Sequence, residues 1–462
     1  MSLEIKKDFT KEVSEKLPIA IKLSEGGQLT EALDSLAGVE KKCRLGNDTK
    51  NLKEIILTMV KMCRKCEDWE QLNATLTLVS KRRSQSTKAV LGMVQEAMGW
   101  IEETPTPEAK LALLNTLRDI TDGKIFLEAE RARLTRQLAA LHEAAGRVDQ
   151  AADVLQEVHV ETYGSLDKRE KAEFILEQIR LTLAKKDYVR ALIQSRKISR
   201  KVLEEEDMQD IKINFYRLMI EYHTYEEDPL ELCRHYHSIL HTPKVAEDDA
   251  QWKEALEATV LFLVLSPQTN TQQDLLQKVA LDTRLEKLPN FKNLTTVFTT
   301  QQVIGYPLQG QQDLEAHPCL ARHAPPTLPQ KWAQQLRTRT VQHSIRVVSK
   351  YYKRIRMQRL AELLGLDVPQ TESHLSTMVS AGSELVTPTG PSEKDVSAGE
   401  GSALYARIDR PAGIVSFSKH QPPEEILSAW NADISELLGL VEKTCHLINK
   451  ENMLNKINTN RK

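Results

Sequence analysis

Apolar residues between about positions 20 and 240 recur at three- and four-residue steps in runs broken by short polar turns, the spacing of amphipathic helices. The second helix of each successive pair returns at a nearly fixed interval. EALDSL begins at Glu31, QLNATL at Gln71, LALLNTL at Leu111, AADVLQ at Ala151, ALIQSR at Ala191 and ELCRHY at Glu231. A period of about 40 residues lies in the range of helix-pair solenoids. The turns Glu25-Gly26-Gly27-Gln28, Cys66-Glu67-Asp68-Trp69, Ala145-Gly146-Arg147-Val148 and Lys185-Lys186-Asp187-Tyr188 precede four of these helices. They supply either a glycine that can end a helix left-handed or an aspartate that can cap the next. Ala32, Ala151 and Ala191 allow close helix approach, and Trp69 and Tyr188 are expected to fill the space between layers. One such pair cannot bury its own apolar face, so the units must stack. The pattern predicts an all-α, tetratricopeptide-like solenoid arm over 1–240.

Helical spacing continues through 251–266, 271–282 and 291–298, and then the texture changes. Residues 301–330 carry five prolines and no sustained period, which predicts an irregular, proline-rich linker. From Lys331 to Arg359 a helix is expected, with Trp332, Leu336, Val341, Ile345, Val348 and Tyr352 as its apolar stripe. Met357 to Gly365 reads as a short helix closed by glycine, and Val368 to Val379 as a third with Pro369 in its first turn. LYARID (404–409) and GIVSF (413–417) read as two strands around the turn Arg410-Pro411-Ala412. Three helices and a two-stranded wing make a winged helix over 331–420. Residues 380–403 are too poor in apolar side chains to fold and are expected as a disordered insertion. The segment 421–462 predicts a long C-terminal helix. Leu427, Trp430, Ile434, Leu437, Val441, Thr444 and Ile448 recur there at three- and four-residue steps, a narrow seam suited to docking against other helices.

Composition narrows the function classes. Across 462 residues, 63 basic side chains face 65 acidic ones, so no chain-wide charge attracts nucleic acid or an anionic membrane. No apolar window reaches the roughly 18 residues of a membrane span. The charged start MSLEIKKDFTKEVSEK has no secretory core, so the chain is expected in the cytoplasm and nucleus with its six cysteines reduced.

Candidate chemistry is sparse. Cys63 and Cys66 have metal-ligand spacing but no second pair at zinc-finger distance. His235, His237 and Asp248 share the spacing of zinc-dependent deubiquitinating metalloproteases, yet Val245 stands where those enzymes need serine. The two histidines also fall on different faces of a predicted helix. The acidic run Glu204–Asp207 is expected to end one helix and cap the next. Neither a phosphate loop, a nucleophile elbow nor a catalytic carboxylate pair stands out, so no catalytic residue, metal or cofactor is assigned. Nine basic residues and no acid over 331–359, Arg354 and Arg356 among them, give a local argument for nucleic acid. The recognition-helix segment VPQTESHLSTMV opposes it, lacking lysine and arginine.

The last third of the chain resembles a known family. HSIRVVSKYYKRIRMQRLAELLGL followed by LYARIDRPAGIVSF is similar to the winged-helix half of PCI domains, which occur in the proteasome lid, the COP9 signalosome and translation initiation factor three. Together with EALDSL, KCEDWEQL and EVHVETYGSLDKREKAEFILEQIRL upstream, it resembles the p55 family of proteasome lid subunits, over most of 10–300, 332–380 and 404–455. The resemblance implies a helical-repeat arm, a PCI module whose helical half is 241–300, and a C-terminal helix that joins a bundle of lid subunits. It implies a non-catalytic scaffold in a hetero-oligomer with other lid PCI subunits and the lid deubiquitinase, serving ATP-dependent degradation of ubiquitinated proteins. Contacts with the ATPase ring or core particle are left open by it. Leu427, Trp430, Ile434, Leu437, Val441 and Ile448 are the expected partner-binding residues. The proline-rich stretch from Gln301 departs from the helix the family has there. The alternatives are a PCI scaffold of the COP9 signalosome and a nucleic-acid-binding winged-helix protein.

Overall fold

In the computed structural model the described residues are 9–305, 307–308, 311, 314, 317–321, 328–380, 404–418 and 423–459. The chain folds as two compact units, Met1–Leu256 and Glu257–Lys462.

The first unit is a run of helix pairs. They are α1 (Thr10–Glu25) with α2 (Leu29–Leu45), α3 (Thr49–Lys65) with α4 (Trp69–Lys81), and α5 (Thr87–Gly99) with α6 (Pro107–Thr121). There follow α7 (Glu128–Ala144) with α8 (Val148–Gln156), α9 (Lys168–Ala184) with α10 (Tyr188–Ser195), and α11 (Gln209–Glu226) with α12 (Pro229–Leu240). Every segment marked by the period falls in the second helix of a pair. In five of the six pairs the turn has one recurring geometry: Gly27, Glu67, Gly146, Lys186 and Glu227 all have positive φ, between 56° and 83°. In three of these turns the next residue is an aspartate that caps the following helix. Asp68 accepts from Gln71 N at 3.0 Å, Asp187 from Arg190 N at 3.2 Å and Asp228 from Leu230 N at 3.1 Å.

Small and branched side chains pack the interior of this unit. Ala32, Leu36, Ile55, Leu72, Leu76, Met93 and Leu113 share one apolar cluster through the first repeats. Ala151, Leu155 and Phe174 continue it, and Ile179, Ala191, Phe215 and Tyr222 close it. Trp69 packs on the first cluster beneath Arg64, 5.0 Å away, and Tyr188 stacks on Tyr225 of the next repeat at 3.6 Å. Neighbouring repeats are also tied at their surfaces by ion pairs one period apart. Examples are Arg64–Glu103 at 2.9 Å, Arg118–Glu157 at 2.6 Å, Arg133–Glu170 at 2.9 Å and Arg180–Glu143 at 2.5 Å. The acidic run joins this scheme through Lys168–Glu205 at 2.9 Å and Arg169, which donates to the Asp207 carbonyl at 3.2 Å. The helix cap expected of it does not form: Met208 precedes α11, and no acidic side chain of the run caps a helix there.

Past α13 (Pro243–Glu247), α14 (Asp249–Leu265) runs into the second unit, where α15 (Asn270–Ala280) and α16 (Pro289–Thr299) follow. The stretch LFLVL in α14 is buried on every side, and Phe262 meets Trp332 edge-on at 5.2 Å. Within the stretch expected as an irregular linker at 301–330, some of the described residues are packed. Ile304, Leu308, Leu314, Cys319 and Leu320 are buried, α17 forms over Pro318–Ala321, and Ile304 N donates to Ser344 Oγ at 3.1 Å. Prolines do not prevent this, because Pro318 and Pro329 occupy first turns, where the missing N–H is not needed.

Helix α18 (Leu328–Tyr351) ends earlier than its apolar stripe suggested, and Arg354–Arg356 forms strand β1. The reason is cross-strand pairing. Ile355 is buried opposite Val415, with Arg354 and Arg356 turned outward, an alternation too short to read from sequence. Then come α19 (Met357–Leu364), closed by left-handed Gly365, α20 (Val368–Ser380), β2 (Arg407–Asp409) and β3 (Ile414–Ser416). The sheet is antiparallel in the order β1-β3-β2, so the wing has a third strand that the sequence reading did not include. Ile345, Val348, Leu360, Leu375, Val415 and Phe417 form the core of this winged helix. Beyond Ser380, the insertion expected at 380–403 lies outside the described residues. The last element, α21, spans Pro423–Thr459.

Candidate assembly surface

Helix α21 is 37 residues long, which at 1.5 Å per residue is about 55 Å. Pro423 opens it at the position where proline is best tolerated, and Glu424 in the first turn complements the helix dipole. Every described side chain from Ile426 to Leu454 is exposed. The six expected partner-binding residues, Leu427, Trp430, Ile434, Leu437, Val441 and Ile448, have between 51% and 63% of their surface open. The structure therefore does not fold this seam back onto the winged helix that precedes it.

The apolar surface is wider than the seam. Ile426, Leu438, Leu440 and Leu447 are exposed beside it. At about 100° per residue they widen the apolar arc from roughly 80° to roughly 180° of the helix circumference, interrupted by Asp433. A two-position seam selects one neighbour, whereas half a circumference presents surface to at least two. The signal was present in the sequence as apolar residues flanking each seam position, and a search for alternating three- and four-residue steps passes over it.

The other candidate groups do not converge on chemistry. Cys63 is buried with Sγ 3.8 Å from Thr75 Oγ1, and burial raises its pKa, while Cys66 is exposed. His235 is buried in α12, the His237 ring faces His241 at 4.2 Å, and Asp248 accepts from Ala250 N at 3.0 Å. The metalloprotease-like spacing is therefore not assembled into a site.

The basic run at 331–359 is divided by the fold. Arg339 donates to the Leu265 carbonyl at 3.0 Å and to Gln342 at 2.8 Å, and Arg346 donates to Gln268. Burial depresses both guanidinium pKa values, that of Arg346 to about 10 with Arg339 adding to the effect. These two line a polar cavity of about 370 Å³ with Gln272, Gln342 and His343. Arg354 and Arg356 are exposed on β1, whereas Arg359 pairs with Glu362 at 2.8 Å. What remains outside is too broken to serve as the continuous phosphate-binding face a winged-helix reader needs.

Comparison with known proteins accounts for this arrangement. Three family models match: PSMD12/CSN4, N-terminal over residues 31–248, the PCI domain over 314–383, and the 26S proteasome regulatory subunit RPN5 C-terminal domain over 424–456. The last coincides with the exposed helix α21. Over 439 residues the chain is 37% identical to 26S proteasome non-ATPase regulatory subunit 12 of Dictyostelium discoideum, covering 94% of this chain and 92% of that protein. The chain belongs to the family of 26S proteasome non-ATPase regulatory subunit 12. An Arabidopsis thaliana member, homolog A, is 36% identical over 94% of this chain and 99% of its own length. RPN5 of Saccharomyces cerevisiae is 33% identical over 97% and 96%. In this member of the family the PCI match begins at residue 314, inside the stretch expected from sequence as a linker. Among the described residues no helix is long and apolar enough to cross a membrane.

Proposed function

We propose that this chain is a non-catalytic scaffold subunit of the lid of the proteasome regulatory particle, supporting assembly of the particle and ATP-dependent degradation of ubiquitinated proteins. The observation that carries the reading is α21, whose roughly half-circumference apolar arc is exposed along a helix matched by a proteasome-subunit family model. An isolated helix with this much apolar surface is unfavourable in water, and a multi-helix bundle is the arrangement that covers it. The seam Leu427, Trp430, Ile434, Leu437, Val441 and Ile448, with its flanking leucines, is the proposed partner-binding surface.

The partners that fit are other PCI subunits of the lid and, through them, the lid deubiquitinase; contacts with the ATPase ring or core particle would extend the same role. Residues 1–240 serve as the arm, 241–300 as the helical half of the PCI module, 331–420 as its winged half and 421–462 as the assembly helix. The protein works in cytoplasm and nucleus. The arm alone would not separate this reading from a signalosome scaffold, since the model matching 31–248 carries the names of both subunit families. The whole-chain relatives and the C-terminal match favour the proteasome.

Affinity purification of the tagged chain from cells, with mass spectrometry of what co-elutes, tests the reading. Stoichiometric lid and ATPase subunits are expected. Signalosome subunits in their place, or chaperones alone, would overturn it.

A further inference from the structure

We propose that His223, Glu231 and His235 form a binding site for a divalent metal ion of the zinc class, clamping together the last helix pair of the arm. His223 lies in the final turn of α11, Glu231 in the first turn of α12, and His235 one turn further on. Residues four apart share a helix face, so Glu231 and His235 point the same way. The connection between the helices is only Glu227 and Asp228. The first is left-handed at φ 57°, and the second caps α12. That turn folds the Glu231–His235 face onto the end of α11, and the three donor atoms come to lie within 4.8 Å of one another.

The donor set and its surroundings suit a metal. The two imidazole rings are 5.0 Å apart, and His235 is 6% exposed with no hydrogen-bond partner at Nε2. A buried ring nitrogen without a partner is uncommon in folded proteins and calls for a ligand. Two imidazoles and one carboxylate are the ligands of zinc and its neighbours, whereas magnesium and calcium prefer all-oxygen sites. Tetrahedral ligation at about 2.0–2.1 Å would set the donors roughly 3.3 Å apart. The side chains must therefore close in by up to about 1.5 Å.

Glu231 is placed to make that movement. Its side chain is 29% exposed and now pairs with Arg234 at 2.5 Å, so it can exchange one cation for another and leaves a route for the ion and a water as fourth ligand. Glu226 lies 3.2 Å from His223 Nδ1, where an outer carboxylate orients a ligating imidazole. The site is distinct from the His235, His237 and Asp248 spacing in the sequence, sharing only His235 with it. It does not depend on the scaffold reading.

The purified full-length chain, stripped with a chelator, would be equilibrated with zinc and separately with cobalt(II). One zinc retained per chain is expected, with affinity falling at least tenfold in Glu231→Gln and in His223→Gln. Those variants should keep the helical circular dichroism of the parent, since one is half-exposed and the other conserves size. Exposed Cys66 and Cys445 are the competing ligands, so Cys66→Ser with Cys445→Ser must leave binding unchanged. The cobalt spectrum serves as a readout independent of any variant: a nitrogen–oxygen spectrum supports the site, and a thiolate-to-cobalt charge-transfer band overturns it. Failure to retain zinc, or retention unaffected by both Glu231→Gln and His223→Gln, would also overturn it.

Discussion

Charging the centre of the α21 arc should separate folding from assembly. In the variant Trp430→Glu, Leu437→Lys, Val441→Glu, each side chain removed is now 63%, 61% and 51% exposed respectively. Covering the open part of a tryptophan removes roughly 150 Å² from water, worth about 4 kcal/mol at ~25 cal/mol/Å². The open parts of Leu437 and Val441 add about 2 kcal/mol each by the same reckoning. The sum, about 8 kcal/mol, corresponds to roughly a millionfold in association. Interface area converts incompletely to affinity, yet half that energy still means more than a hundredfold. The isolated chain should lose nothing measurable, because these side chains are exposed and glutamate and lysine are good helix formers. The assay is incorporation of tagged protein into the complex by native gel and quantitative mass spectrometry, beside a thermal melt of the purified chain. A control carrying Ser428→Glu, Ser435→Lys and His446→Glu on the opposite face should assemble like the parent. Wild-type incorporation of the first variant, or equal exclusion of the control, would refute the reasoning.

Three further outcomes follow from the interior and turns. The Glu40 side chain is fully buried between Arg44, at 3.2 Å, and Arg82, with Gln85 also at 3.2 Å, so Glu40→Ala should destabilise the arm by about 3 kcal/mol in urea unfolding. By contrast Arg133→Ala, which removes a pair at 2.9 Å whose partners are 53% and 42% exposed, should cost under about 1 kcal/mol. Lys186 holds φ at 64°, and Lys186→Gly should raise stability by up to about 1 kcal/mol, readable as a higher melting temperature. Burial, with lesser help from Arg346 and Lys350, holds the His343 pKa below its usual value against opposing hydrogen bonds to the Thr300 and Gln302 backbone. The unfolded chain therefore binds the proton first as pH falls through about 6.5, and stability should drop on acidification. His343→Gln should flatten the change in urea midpoint between about pH 7.5 and about pH 5.5.

How much could be read without the structure depended on whether a feature repeats. The arm was legible because its apolar period is sampled six times, so one ambiguous helix such as ALIQSR is corrected by its neighbours in step. Single-copy features were harder. Strand β1 is the tripeptide Arg354–Arg356, and its existence depends on Val415, about 60 residues away in sequence, which no local pattern reveals. Proline density at 301–330 predicts an irregular stretch; helix starts accept proline, however, and among the described residues there Ile304 and Leu314 are buried. The C-terminal seam lies on a helix as its spacing predicts, and the exposed apolar arc around it is wider than the seam. The neighbourhood of His223 and His235 was not visible at all, because it depends on a two-residue turn bringing separate helices together.

The left-handed residue inside the helix pairs bears on how such an arm changes over generations. What the connection requires is one dihedral angle, and glycine, glutamate and lysine all supply it here at Gly27, Glu67, Gly146, Lys186 and Glu227. A requirement set at the level of the backbone leaves side-chain identity largely unconstrained, at a penalty of about 1 kcal/mol that a long stacked array absorbs. Mutational drift at these corners is therefore close to neutral. A substitution there can change the residue without changing the spacing between repeats, because the spacing rests on the dihedral angle alone.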